Sequence, residues 1–172
     1  MMRHVLLFVA MTLTGAASAW AQASYFQQEV HYTIRVRLDA QRHQLHASET
    51  FTYKNNSQAS LTELYIHLWP NAYMDRTSAL ARQKIESGDL SLHYAKPEER
   101  GGIDSLDFRV DGQKVQWAYW QGHPDIALVQ LNQPLHPGQS LQFSTPFRVR
   151  IPESFSRLGH IGQQYQITQW YP

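Results

Sequence analysis

Glu29-Val-His-Tyr-Thr-Ile-Arg-Val-Arg-Leu38 alternates without a fault: Val30, Tyr32, Ile34, Val36 and Leu38 fall on one side, and Glu29, His31, Thr33, Arg35 and Arg37 on the other. A strict period of two places successive side chains on opposite faces of a β-strand, so this stretch is expected to have one buried and one wet face. Asp39 to His43 supplies turn residues. Leu45-His-Ala-Ser-Glu-Thr-Phe-Thr-Tyr53 then returns with Leu45, Ala47, Phe51 and Tyr53 on a common face, and Asn55-Asn56-Ser57 closes it. An antiparallel hairpin at the start of the folded part sets the class of everything after it.

Later segments repeat the theme. Leu64 to Trp69 is apolar or aromatic on both faces, as in a strand covered on both sides, and Pro70 stops it. Ile103 to Val110 and Val115 to Tyr119 flank Asp111-Gly112, the dipeptide that favours a tight two-residue hairpin turn. Ile126 to Leu131 and Ser140 to Ile151 read as a further pair around Pro137-Gly138, with Pro146 predicting a bulge, a sheet edge or a switch between sheets. Gln164 to Trp170 is the last expected strand. Helix formers gather only between Thr77 and Ser87, capped by Thr77 or Ser78 and followed by Gly88, while Asp89 to Gly102 reads as loop. The expectation is an all-β, saddle-like antiparallel β-sandwich with one short helix.

The N-terminus predicts export. Met1-Met-Arg-His4 is basic, Val5 to Leu13 is apolar and too short to span a bilayer, and Ala21-Gln-Ala23 fits a signal-peptidase site. This gives a signal peptide over 1–23 and one β domain over 24–172, in a periplasmic, cell-surface or secreted location. Without Arg3, 14 basic residues face 14 acidic ones, with no Lys/Arg run. That balance argues against nucleic acid or an anionic membrane as partner. With no cysteine in 172 residues, disulfides and thiol chemistry are excluded.

A search for chemistry gives little. Nine histidines include no H-E-x-x-H arrangement; His43 and His46 form the one close pair, and solvated turn histidines explain them better than a metal site. His67 and His160 read as hydrogen-bonded structural residues. Ser154 and Ser156 lie in no nucleophile elbow, and Asp104 and Asp107 read as turn caps. On these grounds the chain has no catalytic residue and no metal ligand of its own. Trp117, Tyr119 and Trp120 raise the alternative of a stand-alone secreted β-sandwich that binds carbohydrate or protein through an aromatic surface.

Several stretches nevertheless carry a likeness. Tyr25-Phe-Gln-Gln-Glu-Val30, Tyr53-Lys-Asn-Asn-Ser57, His67-Leu-Trp-Pro-Asn-Ala-Tyr73, Gly102-Ile-Asp-Ser-Leu106, Thr145-Pro-Phe147 and Ile151 to His160 resemble the N-terminal β domain of bacterial exported zinc aminopeptidases of the gluzincin clan, the family of alanyl aminopeptidases and leukotriene hydrolase. The resemblance implies a parent that removes N-terminal residues from peptides with zinc held in a following catalytic domain. The chain is then expected to be a fragment that stops before that domain, its partner within the same polypeptide. It also implies one substrate-contacting residue, Gln169 of Thr168-Gln169. The acidic residue that often follows in the family is Tyr171 here.

Overall fold

The computed structural model describes residues 26–172, so the signal-peptide expectation over 1–23 and Tyr25 lie outside the described residues. β1 (Glu29–Asp39) and β2 (Gln44–Lys54) form the expected hairpin, paired residue for residue from Glu29 with Lys54 to Asp39 with Gln44. After β2 come β3 (Leu61–His67), a 3-10 turn over Trp69–Tyr73, and helices α1 (Ala79–Glu86) and α2 (Ser91–Tyr94). The strands β4 (Gly102–Asp104), β5 (Arg109–Val110), β6 (Gln113–Lys114), β7 (Gln116–Trp120), β8 (His123–Leu135), β9 (Ser140–Arg150), β10 (Leu158–Ile161) and β11 (Gln164–Ile167) complete the order.

These strands make three antiparallel sheets. The largest runs β1-β2-β9-β5-β6, with β4 beside β9; the second is β3-β8-β7; β10 and β11 form a short ribbon. The all-β sandwich class is therefore right. The single helix is not, because the stretch read as loop also holds α2 and a 3-10 turn over Pro97–Glu99. Leu92 is wholly buried there, and that contact with Ala81 and Ala95 holds four residues in a helix too short to be stable alone.

A second correction concerns β8 and β9. They follow one another around Gly138, yet they lie in different sheets: β8 pairs with β3 and β7, β9 with β2, β4 and β5. The link between the sheets is Asn55, wholly buried. Its backbone N–H donates to Gln139, its carbonyl accepts from Gly138, and its side-chain amide donates to the carbonyls of Ala59 and Leu135. A buried amide satisfied by both sheets fixes the corner that a hairpin reading misses.

Asp111 and Gly112 both have positive φ, +49° and +78°, as the tight turn requires. The run before them is interrupted, because Ser105 turns left-handed and the Asp107 N–H donates to Thr145 Oγ1 instead of a ladder. Pro146 meets its expectation as an edge. On the flank away from β2, residues 145–147 lie between β4 and β5 with no strand opposite, where a missing N–H costs no sheet bond. The core gathers between the two large sheets around Phe51, Phe108, Phe143, Val129, Leu68 and Val149. The β1 face expected to be buried is not: Tyr32, Val36 and Leu38 are 47%, 49% and 41% exposed.

Candidate functional site

The last residues reach the core face of the large sheet. Thr168 Oγ1 donates to the Arg157 carbonyl at 2.6 Å and anchors the end of β11. Gln169 is left-handed, with φ +52°, a strained conformation for a side chain with a Cβ. The reversal sets Trp170 against Phe147 (centroids 6.0 Å apart) and Tyr171 edge-on to Tyr32 (5.5 Å), with Pro172 buried. Gln169 itself is exposed, and its amide makes no hydrogen bond within the described residues.

Two clefts open on either side of this amide. The larger, about 750 Å³, lies between the β1–β2 hairpin and β3, bounded by Tyr32, Phe51, Tyr53 and Tyr65 and by Tyr171 at the C-terminal side. The smaller, about 510 Å³, is bounded by α1 and the Ser156-Arg157 stretch. Gln169 and Trp69 line both, and so form the partition between them. Trp69 is stiffened by stacking on His67 at 4.1 Å and 11°. The carboxylate on the larger wall is Glu63, which accepts from Tyr65 Oη (2.8 Å) and Gln130 Nε2 (3.2 Å). The bond to Glu63 raises the Tyr65 phenol pKa. Aromatic walls with an amide and a carboxylate can seat an apolar or cationic side chain. At the rim of the larger cleft the Ser60 hydroxyl lies 2.8 Å from His136 Nδ1, an exposed pair.

The remaining candidates separate. His43 and His46 do not come together. His43 stacks flat on His160, centroids 3.7 Å and planes 8° apart, and its Nδ1 lies 2.8 Å from the hydroxyl of Tyr165. That hydroxyl donates onward to the Ala40 carbonyl at 3.2 Å, so His43 is the donor to it. His43 is therefore a packed residue and not the solvated turn histidine expected. Burial first, and His43 second, depress the His160 pKa. Asp104 holds Arg148 through two bonds of 2.9 Å, and Asp107 holds Arg109 and Lys114. They are ion-pair anchors and not simple caps. Among the described residues no group of three or more His, Asp or Glu converges to hold a metal ion.

Sequence reading passed over Glu49. It is 2% exposed and neither carboxylate oxygen has a hydrogen-bond partner. It sits on the core face between Ile34 of β1 and Thr145 of β9. Desolvation pushes its carboxyl up to about 8, so it is a neutral acid at pH 7. The signal was present: position 49 is in phase with Leu45, Ala47, Phe51 and Tyr53.

No known family's sequence profile matches the chain, and no curated protein matches it. Among solved structures, it is similar to the M1 zinc metallopeptidase of Deinococcus radiodurans, at 15% identity and TM-score 0.44, over 74% of this chain and 21% of that one. Substituted two-domain M1 zinc metallopeptidases bound to L-tryptophan and to L-arginine give 14% identity and TM-scores of 0.45 and 0.44, each over 75% of this chain and 22% of theirs. The chain thus spans about a fifth of the length of the structures it matches.

Proposed function

We propose that these residues form the N-terminal, non-catalytic β domain of an exported zinc metallo-aminopeptidase. In this reading the domain supports a catalytic domain of the same polypeptide and lends one wall to its substrate cleft. The observation that carries it is Gln169: a strained backbone holds an unbonded amide on the partition between two open clefts, where it gains nothing for folding. The peptide's N-terminal residue is the group this amide meets. Zinc and the general base belong to the catalytic domain.

The reading frame of the source gene beyond the Pro172 codon tests this first. A continuation carrying H-E-x-x-H with a downstream Glu supports the proposal. In that full-length enzyme, Gln169→Ala should raise KM by roughly tenfold and leave thermal stability unchanged. A frame that closes at Pro172 overturns it and leaves the stand-alone binding module. No observation favours that module, because Trp117 and Tyr119, the pair expected to share a face, meet edge-to-face at 80° and offer no flat platform for a sugar ring.

A further inference from the structure

β1 ends the largest sheet, and among the described residues nothing pairs with its outer edge. All eleven of its residues are in register with β2, so the strand is long, regular and free of a bulge. Such an edge presents alternate backbone N–H and C=O groups to any extended chain. Native proteins usually blunt it by shortening, bulging or covering it. Among the described residues none of these devices protects β1.

Both faces of the strand are also unfinished. On the core side, Tyr32, Val36 and Leu38 are each more than two-fifths exposed. On the other side stand Arg35 and Arg37, whose cross-strand neighbours are Ser48 and His46. No carboxylate among the described residues pairs with either guanidinium. The flanking acids are committed elsewhere, Glu29 to Lys54 and Asn56, and Asp39 to Arg42. Two free cations beside a free edge can serve merely to repel other strands, but then the apolar row on the opposite face would remain an uncovered liability. A second copy of this chain fits badly, since antiparallel self-pairing would bring Arg35, Arg37 and His31 of each copy into one row.

We propose that the free edge of β1 is a strand-addition site for an extended segment of another protein, in which carboxylates alternate with apolar side chains. One added strand would satisfy three things together. Its backbone completes the ladder, its apolar residues cover Tyr32, Val36 and Leu38, and its carboxylates face Arg35 and Arg37. Tyr32 is shared with the wall of the larger cleft, but Arg35, Val36, Arg37 and Leu38 line neither cleft, so charge reversal at the two arginines tests this site apart from the enzyme reading.

The probe is a blocked nonapeptide alternating glutamate with valine, titrated into the full chain while amide hydrogen exchange is followed. Binding should slow exchange along β1 and weaken with salt. The double variant Arg35→Glu/Arg37→Glu should lose affinity by roughly tenfold or more, and should gain it for the peptide with lysine in place of glutamate. Unchanged thermal unfolding of the variant excludes loss of fold as the cause. Any one of three results overturns the proposal: no binding at about 1 mM peptide, binding indifferent to the charge reversal, or a chain that dimerises through β1 and is not released by the peptide.

Discussion

His43 lies face to face with His160, ring centroids 3.7 Å apart, and this stack ties the β1–β2 turn to the β10–β11 ribbon. Burial, and the His43 ring second, disfavour a charge on His160. The folded His160 pKa is depressed, so the stack stabilises fully above the ordinary histidine value of 6.5 and loses that contribution as pH falls through the lower folded value. Denaturant unfolding should show stability dropping with acid in this window. His160→Gln should flatten the drop, and a slope unchanged by this variant would refute the assignment.

Glu49 works in the opposite direction. Its folded pKa of about 8 lies above the unfolded 4.5, so its neutral form suits the core below about pH 4.5 and stability is lost as pH rises through 8. The total is on the order of a few kcal/mol. Glu49→Gln removes the ionisation and should abolish this alkaline loss, read as the difference in unfolding free energy between about pH 5 and pH 9. Equal slopes for the two proteins would mean that the carboxyl has a partner or reaches water.

Gly159 is needed for close approach. A Cβ there would sit 2.7 Å from Ser154 Cα and 3.0 Å from the Glu153 carbonyl, both backbone atoms that cannot swing aside. Gly159→Ala should cost about 2 kcal/mol by forcing the 153–154 loop off β10, visible as a lowered midpoint of thermal unfolding. A wild-type midpoint would show that the loop yields freely.

At Gln169 the prediction concerns backbone and not side chain. Glycine adopts φ +52° without strain, so Gln169→Gly should be more stable than Gln169→Ala by about 1 kcal/mol. Gln169→Ala itself should lie within about 0.5 kcal/mol of the wild type, as an exposed residue without bonds does. A larger loss on truncation to alanine would give the amide a structural role.

Zinc should leave the melting temperature of this chain unchanged at neutral pH, since a ligand stabilises only the state that binds it. The described residues offer no cluster of metal-binding side chains. A clear zinc-induced rise would place a site on this chain.

Local patterns carried the fold further than the site. Period-two alternation gave β1 and β2 as strands and β2 its buried face, and Asp111-Gly112 its turn, because these signals depend on neighbours in sequence; the burial of the apolar row of β1 did not follow. Which strands share a sheet depends on Asn55 binding Leu135 and Gln139, contacts that no window of sequence contains. The His43–His160 stack was illegible for the same reason. Glu49 was legible in phase but not in consequence, since alternation says where a side chain points and nothing about what meets it. Gln169 came from resemblance alone, and the structure added the strained backbone and the two clefts.

The division of β8 and β9 between sheets also has a kinetic side. β2 finds its second neighbour only when Ser140 to Arg150 exists, and Lys54 must wait for Ser140. A hairpin emerging early from the ribosome therefore keeps one flank and its apolar face open until β9 has been made. Cooperative structure comes late, after synthesis has passed β9.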